Sequence, residues 1–215
     1  MGAYIREPVN GFTHLFGAIF SFVGLLALVI KAAINSFSAV DIMAVIIFGV
    51  SMILLYSASA TYHMVVAKKH VIAFLRRIDH SMIFVLIAGT YTPFCLISLE
   101  GTMGWILFII IQSLAVFGVA YKLIFFHSPR WLSTSIYIAM GWMVIFFFSP
   151  LSNVIGTGGM TLLMVGGILY TIGGVIYGTK PKFLEFKHMG FHEIFHIFIL
   201  LGSLAHFLSV YFYVL

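Results

Sequence analysis

The chain has 215 residues, of which 62% are hydrophobic and only 8% charged, with a mean hydropathy of +1.16 and a formal net charge of +5. These values lie far outside the range of soluble domains and mark an integral membrane protein. A single cysteine, Cys95, excludes a disulfide framework and a thiolate metal cluster, and the positive charge is the signature of membrane insertion and implies no nucleic acid.

Seven apolar runs, each near the roughly 20 residues needed to cross a bilayer, predict an all-α membrane bundle that fills residues 1–215 as one domain. They extend from Gly11 to Lys31, Val40 to Tyr62, His80 to Leu99, Gly104 to Leu123, Trp131 to Ser149, Gly158 to Tyr177 and Phe191 to Val214. The first is longer than a signal-peptide core and lacks an A-x-A cleavage site, so it reads as a retained helix. It opens on Asn10, Thr13 and His14, where His14 reads as a packing residue or a support for a ligand, and it carries a small-residue ridge of Gly17, Ser21 and Gly24. The second span closes on Ser59 and His63, one helical turn apart and therefore on one face. Asp79 and His80 open the third, where Pro93 frees the carbonyl of Gly89 and bends the helix. The adjacent Thr90, Tyr91 and Thr92 either line a cavity or satisfy that carbonyl. Gly166, Gly167, Gly173 and Gly174 give the sixth span a close-packing face, and the seventh opens on His192, Glu193 and His196.

Ten of the eleven lysines and arginines fall in the N-terminal segment or in alternate loops, and only Lys31 falls on the other side. The positive-inside rule then places the N-terminus in the cytoplasm and the C-terminus outside, which requires an odd number of spans. In that loop set the segment from Lys68 to Arg77 also attracts anionic headgroups. His70, His127 and His188 read as solvent-facing loop residues.

This topology brings His63, Asp79, His192 and His196 to similar depth at the cytoplasmic end of three spans. His192 and His196, four apart, stack on one helical face and suit two ligands of one metal; His63 supplies a third. Three imidazoles with an open fourth position point to zinc, although iron and cobalt accept similar ligands. Zinc lowers the pKa of a bound water to about 7 and so supplies a nucleophile at neutral pH. Asp79 is the candidate proton acceptor for that water, against the alternatives of a helix N-cap or an ion pair with Arg76 or Arg77. Ser59 is a candidate to bond the same water or a developing oxyanion, against a bond to its own backbone. His206, ten residues past His196, lies about 15 Å deeper and cannot reach the same metal.

Residues 192–196 also match H-E-x-x-H, in which the glutamate of a metalloprotease is the general base. No later span offers the aspartate that membrane-embedded proteases of this kind use as third ligand, and Ser59, His63 and Asp79 would be left without a role. Glu193 therefore reads as facing a neighbouring helix end or the basic loops.

Taken together, Asn10-x-x-Thr13-His14, Ser59-x-x-x-His63, Arg77-Ile78-Asp79-His80 and His192-x-x-x-His196 resemble the bacterial haemolysin III branch of the progestin and adipoQ receptor family, in order and over essentially the whole chain. The resemblance implies a seven-helix bundle in the bacterial cell membrane, with zinc bound by His63, His192 and His196 and with Asp79 and Ser59 near its water. It also implies kinship with alkaline ceramidases, which are zinc-dependent lipid amidases. The long N-terminal region of animal adiponectin receptors is missing here, so hormone reception does not carry over, and the His80 position varies between branches.

Two functions of different kind follow. One is a zinc-dependent intramembrane hydrolase of a lipid amide or ester, with membrane lipids as partners and the acyl chain between helices. The other is a non-enzymatic sensor or regulator of lipid state, with zinc holding spans two and seven together. A cytolysin or pore is suggested by the family's name, but no segment has the amphipathic pattern of a pore former. Metal transport needs polar stations through the outer half, which the sequence does not supply.

Overall fold

The computed structural model describes residues 4–99, 101–125, 129–186 and 189–215. Lys187, His127 and His188, which the sequence places in loops, lie outside the described residues. No strand is formed among the described residues; one isolated bridge joins Phe186 and Met189.

Helix α1 (Pro8–Ile34) starts on a proline, whose missing N–H costs nothing in a first turn. Helix α2 (Ala39–Met64) starts with a capping box: Ser38 Oγ accepts the Asp41 N–H, and Asp41 Oδ2 accepts the Ser38 N–H at 3.0 Å. Helix α3 (Lys69–Pro93) departs from expectation by starting eleven residues before His80. Hydropathy misses this opening because Lys69, His70, Arg76 and Arg77 lower the average, yet their long side chains allow a helix to continue through the interface. Asp79 therefore lies about three turns inside α3 and is buried, which overturns the N-cap alternative. Past Pro93 the chain widens into a π-helical turn, Phe94–Ser98, the local response to a missing donor. Thr90 and Thr92 donate to the carbonyls of Leu86 and Ala88 instead of that of Gly89.

Helix α4 (Gly101–Ile124) leads to α5 (Arg130–Gly141), a 3-10 segment (Trp142–Phe147) and α6 (Phe148–Thr179). Tyr91 stabilises the irregular stretch: its hydroxyl donates to Gly141 O at 2.6 Å and accepts the Val144 N–H at 2.9 Å. The region Arg130–Thr179 is 50 residues long, too long for one crossing, and it counts as one of six long apolar helices. It folds back on itself at Gly156, where φ is +63° and ψ is −177°, a conformation essentially restricted to glycine. Trp142 Nε1 accordingly meets Thr171 Oγ1 at 2.9 Å, and Thr134 packs beside Gly174 and Gly178. The two antiparallel arms coincide with the fifth and sixth expected spans. Helix α7 (Phe191–Ser209) ends in a second π-helical turn, Val210–Val214.

Helices α1 to α4 pack in chain order, α5 packs against α6 and α3, α6 packs against α7, and α1 closes the bundle against α7. α3 is the central element, with 72% of its apolar window buried against 28–44% in the other spans. Outward faces carry large apolar side chains such as Phe20 and Phe117, about 70% exposed, as expected of surfaces covered by lipid tails. The molecule is an all-α protein with six helices long and apolar enough to cross a membrane among the described residues. The small-residue faces pack as expected: a Cβ on Gly17 would collide with Leu200 and Tyr56, and one on Gly166 would strike the His206 ring at 2.3 Å. Gly167 differs, because open space lies beside it.

Candidate metal centre and cavity

The end of α2 and the start of α7 bring three imidazoles together. One ligand nitrogen from each of His63, His192 and His196 falls within 4.8 Å of the others. His63 and His196 are fully enclosed, and His192 is half-buried. His63 Nε2 and His192 Nε2 stand 3.4 Å apart. Two imidazole nitrogens bound to one tetrahedral ion at about 2.0–2.1 Å are separated by about 3.3–3.4 Å, so this pair is spaced for two ligands of one metal. His196 Nδ1 is buried without a hydrogen-bond partner, a costly state that a bound ion or water at the cluster relieves by reordering the ring. The donor set therefore fits a metal of the zinc type.

A carboxylate that sequence reasoning missed prepares this cluster. Glu7 Oε2 lies 2.5 Å from His63 Nδ1, which fixes the proton there and leaves Nε2 as the ligand atom. The contact exists because the N-terminal segment is strapped to the end of α2: the Glu7 N–H donates to His63 O at 2.9 Å, and Arg6 Nη2 donates to Tyr62 O at 2.5 Å. Arg6 Nε holds the other Glu7 oxygen at 3.2 Å. Partial burial pushes the Glu7 carboxyl up, but the hydrogen bond and charge of His63, with Arg6, outweigh it and hold the group below the usual carboxylate range. The available signal was chemical: Glu7 is one of only six acidic residues, and it precedes a span at the ligand end.

Ser59 and Asp79 are both buried and face each other across α2 and α3. They line one cavity with His192 and His196, while His63 stands behind those rings. This cavity, about 120 Å³, runs inward past Ile83, Ile87 and Thr90 to Gly167 and His206. It has room for several waters or a stretch of acyl chain, and its walls are mostly apolar.

The remaining polar residues of the motifs take supporting positions. His14 is buried and stacks on His196 with ring centroids 3.6 Å apart, and neither of its ring nitrogens has a hydrogen-bond partner. Glu193 is engaged at both oxygens, accepting from Asn10 Nδ2 and from the Gly190 N–H, each at 2.8 Å. That ties the openings of α1 and α7 together and leaves the glutamate no free oxygen facing the cluster. His206 bonds Gly202 O at 2.7 Å within its own helix and stacks on Tyr170. His80 lines the cavity with Nε2 3.1 Å from the Tyr177 hydroxyl. His70 is exposed, in the first turn of α3.

A profile of the family described as "Haemolysin-III related" matches residues 3–207. The chain is 44% identical over 208 residues to a protein of Bacillus subtilis (strain 168) named "Hemolysin-3 homolog", covering 97% of this chain and 94% of that protein. It is 41% identical over 216 residues to "Hemolysin-3" of Bacillus cereus, covering 100% and 95%. A more distant similarity, 27% over 237 residues, links it to "Heptahelical transmembrane protein 1" of Arabidopsis thaliana, covering 95% of this chain and 68% of that one.

Proposed function

This chain belongs to the haemolysin-III-related family, and from that premise and the site's geometry we propose that it is a zinc-dependent intramembrane hydrolase of a lipid amide or ester. The observation that carries the reading is the convergence of three imidazoles beside one largely apolar cavity that His192, His196, Asp79 and Ser59 line together. His63, His192 and His196 hold the ion, and Glu7 orients His63. Zinc, when bound, supplies Lewis acidity and a nucleophilic water at neutral pH. Asp79 takes the proton of the attacking water on a carboxylate oxygen and returns it to the leaving amine or alkoxide. Ser59 faces that carboxyl from α2 and lines the same cavity, where its O–H can donate to the developing oxyanion. Ile83, Ile87 and Ile199 exclude bulk water and receive the acyl chain. The "heptahelical" name of the plant relative and the fold-back at Gly156 both favour seven crossings, and the basic loops favour a cytoplasmic site.

The test is Asp79→Asn. The zinc-loaded variant should keep its metal and melting temperature yet lose fatty-acid release from amide and ester lipids by at least about 100-fold. Zinc-replete wild-type protein that releases no fatty acid from ceramide, N-acyl or glycerolipid panels contradicts the reading. A second reading, a structural zinc in a sensor of lipid state, draws on one observation: the ion would join the Glu7 strap, α2 and α7 through His63, His192 and His196.

A further inference from the structure

At its far end the cavity adjoins a second one of about 40 Å³, lined by Phe94, Leu107, Leu151 and Leu163 among others. Thr90, Gly167 and His206 line both, so the two spaces share a wall that includes the His206 ring. Three contacts fix this buried ring. Nδ1 bonds Gly202 O at 2.7 Å, Tyr170 stacks on it with centroids 5.1 Å apart, and Gly166 leaves the room it occupies, since a Cβ there would lie 2.3 Å from Nδ1. A carbonyl only accepts, so Nδ1 carries the proton and Nε2 of the neutral ring is an acceptor. Nε2 itself has no hydrogen-bond partner among the described residues. Its polar neighbours do have partners: Thr90 Oγ1 donates to Leu86 O, the Tyr170 hydroxyl bonds Ser203 Oγ, and Thr171 Oγ1 accepts from Trp142 Nε1. An acceptor left open in an apolar wall is costly until a donor reaches it, and here the donor comes from the cavity.

We propose that His206 Nε2 is a hydroxyl-recognition point in the tail cavity, so that the hydrolase proposed above favours lipids whose acyl chain carries a hydroxyl group in its distal half. The inference rests on that reading for the reaction and for the lipid head at the imidazole cluster, while recognition of the chain hydroxyl is separate. The donor is neutral: an ammonium would have to shed its hydration among apolar walls, whereas a hydroxyl offers Nε2 a proton at a far smaller desolvation cost. Its place on the chain follows from helix geometry. His206 lies ten residues past His196 on α7, about 15 Å along the axis. An extended chain with C–C bonds of about 1.5 Å covers that distance in about twelve carbons. The chain end beyond the hydroxyl enters the second cavity, where Phe94, Leu107, Leu151 and Leu163 offer it apolar walls.

Native mass spectrometry on the full-length, detergent-solubilised, zinc-loaded protein reads which fatty acid is held when stearate and its derivative hydroxylated on the twelfth carbon are offered in equal amounts. The wild type should retain the hydroxylated chain about fivefold over stearate, the effect of one neutral hydrogen bond. His206→Phe keeps an aromatic ring against Tyr170 and removes Nε2, and it should bring the ratio within twofold. A comparison on the wild type alone decides the matter should that variant fail to fold: stearate hydroxylated on the fifth carbon, short of the ring, should be retained within twofold of stearate. Equal retention of stearate and the twelfth-carbon derivative overturns the proposal, since a water then satisfies Nε2. A preference undiminished in His206→Phe, or shown equally for the fifth-carbon derivative, also overturns it. Selective retention with no fatty-acid release from any lipid by the wild type sinks the hydrolase alone; fatty-acid release indifferent to a chain hydroxyl, with equal retention, sinks the recognition point alone.

Discussion

Glu7 is the most exacting test of how the centre is built, because it lies outside every motif and bonds only one of the three imidazoles. Glu7→Gln keeps the shape and the backbone strap to α2 but removes the charge that accepts from His63 Nδ1 at 2.5 Å. Carboxylates that orient ligating imidazoles contribute about 10–100-fold to metal affinity. The Glu7 side chain is 40% exposed and shared with Arg6, so solvent screening places it at the lower end, about tenfold, or about 1.4 kcal/mol. The sign of its pH dependence follows from a carboxyl held low in the fold: its contribution is present above the unfolded-state carboxylate pKa and disappears as pH falls through the folded value. The assay is competition for zinc against a chromogenic chelator at neutral pH, with thermal unfolding of the metal-free proteins as control. Equal zinc affinity in Glu7→Gln and wild type, with matched apo stability, refutes the account of how His63 is prepared.

Three further outcomes follow from individual residues. His196→Ala should lower zinc content to near zero, whereas His206→Ala, whose ring bonds Gly202 O far along the cavity, should keep it stoichiometric by metal analysis. Gly167→Leu should fill the open space beside α6, reducing lipid turnover at least about tenfold while leaving the melting temperature within a few degrees, because a Cβ there meets no atom within 4 Å and Gly167 lines the cavity. Gly156→Ala should destabilise the protein by about 1–3 kcal/mol, read by denaturation in detergent, because alanine strains at φ +63°, ψ −177°.

Much of the architecture is legible in hydropathy, because a bilayer demands long apolar helices and the chain has little else. His192 and His196 are legible for a related reason: a four-residue step is a local property of any helix, and depth alone brings His63 level with them. What escapes is contact that depends on how segments lie across one another. Glu7 reaches His63 only because extended backbone runs along the end of α2, and no spacing rule encodes that. The opening of α3 is hidden by its own basic residues, which misplaced Asp79 at a helix start although its burial and its pairing with Ser59 depend on being inside one. Arg76, Lys122 and Arg130 read as loop charge, whereas all three lie within helices, and their convergence on one pocket needs the packing of four helices.

Zinc-edge X-ray absorption on the purified wild-type protein tests the central claim most directly, since it counts the ligands of the ion. The account predicts one zinc per chain with three imidazole nitrogens at about 2.0–2.1 Å and a single further light-atom ligand that exchanges with solvent. A zinc closed by four protein ligands, or a protein that retains no zinc with all three histidines intact, contradicts it.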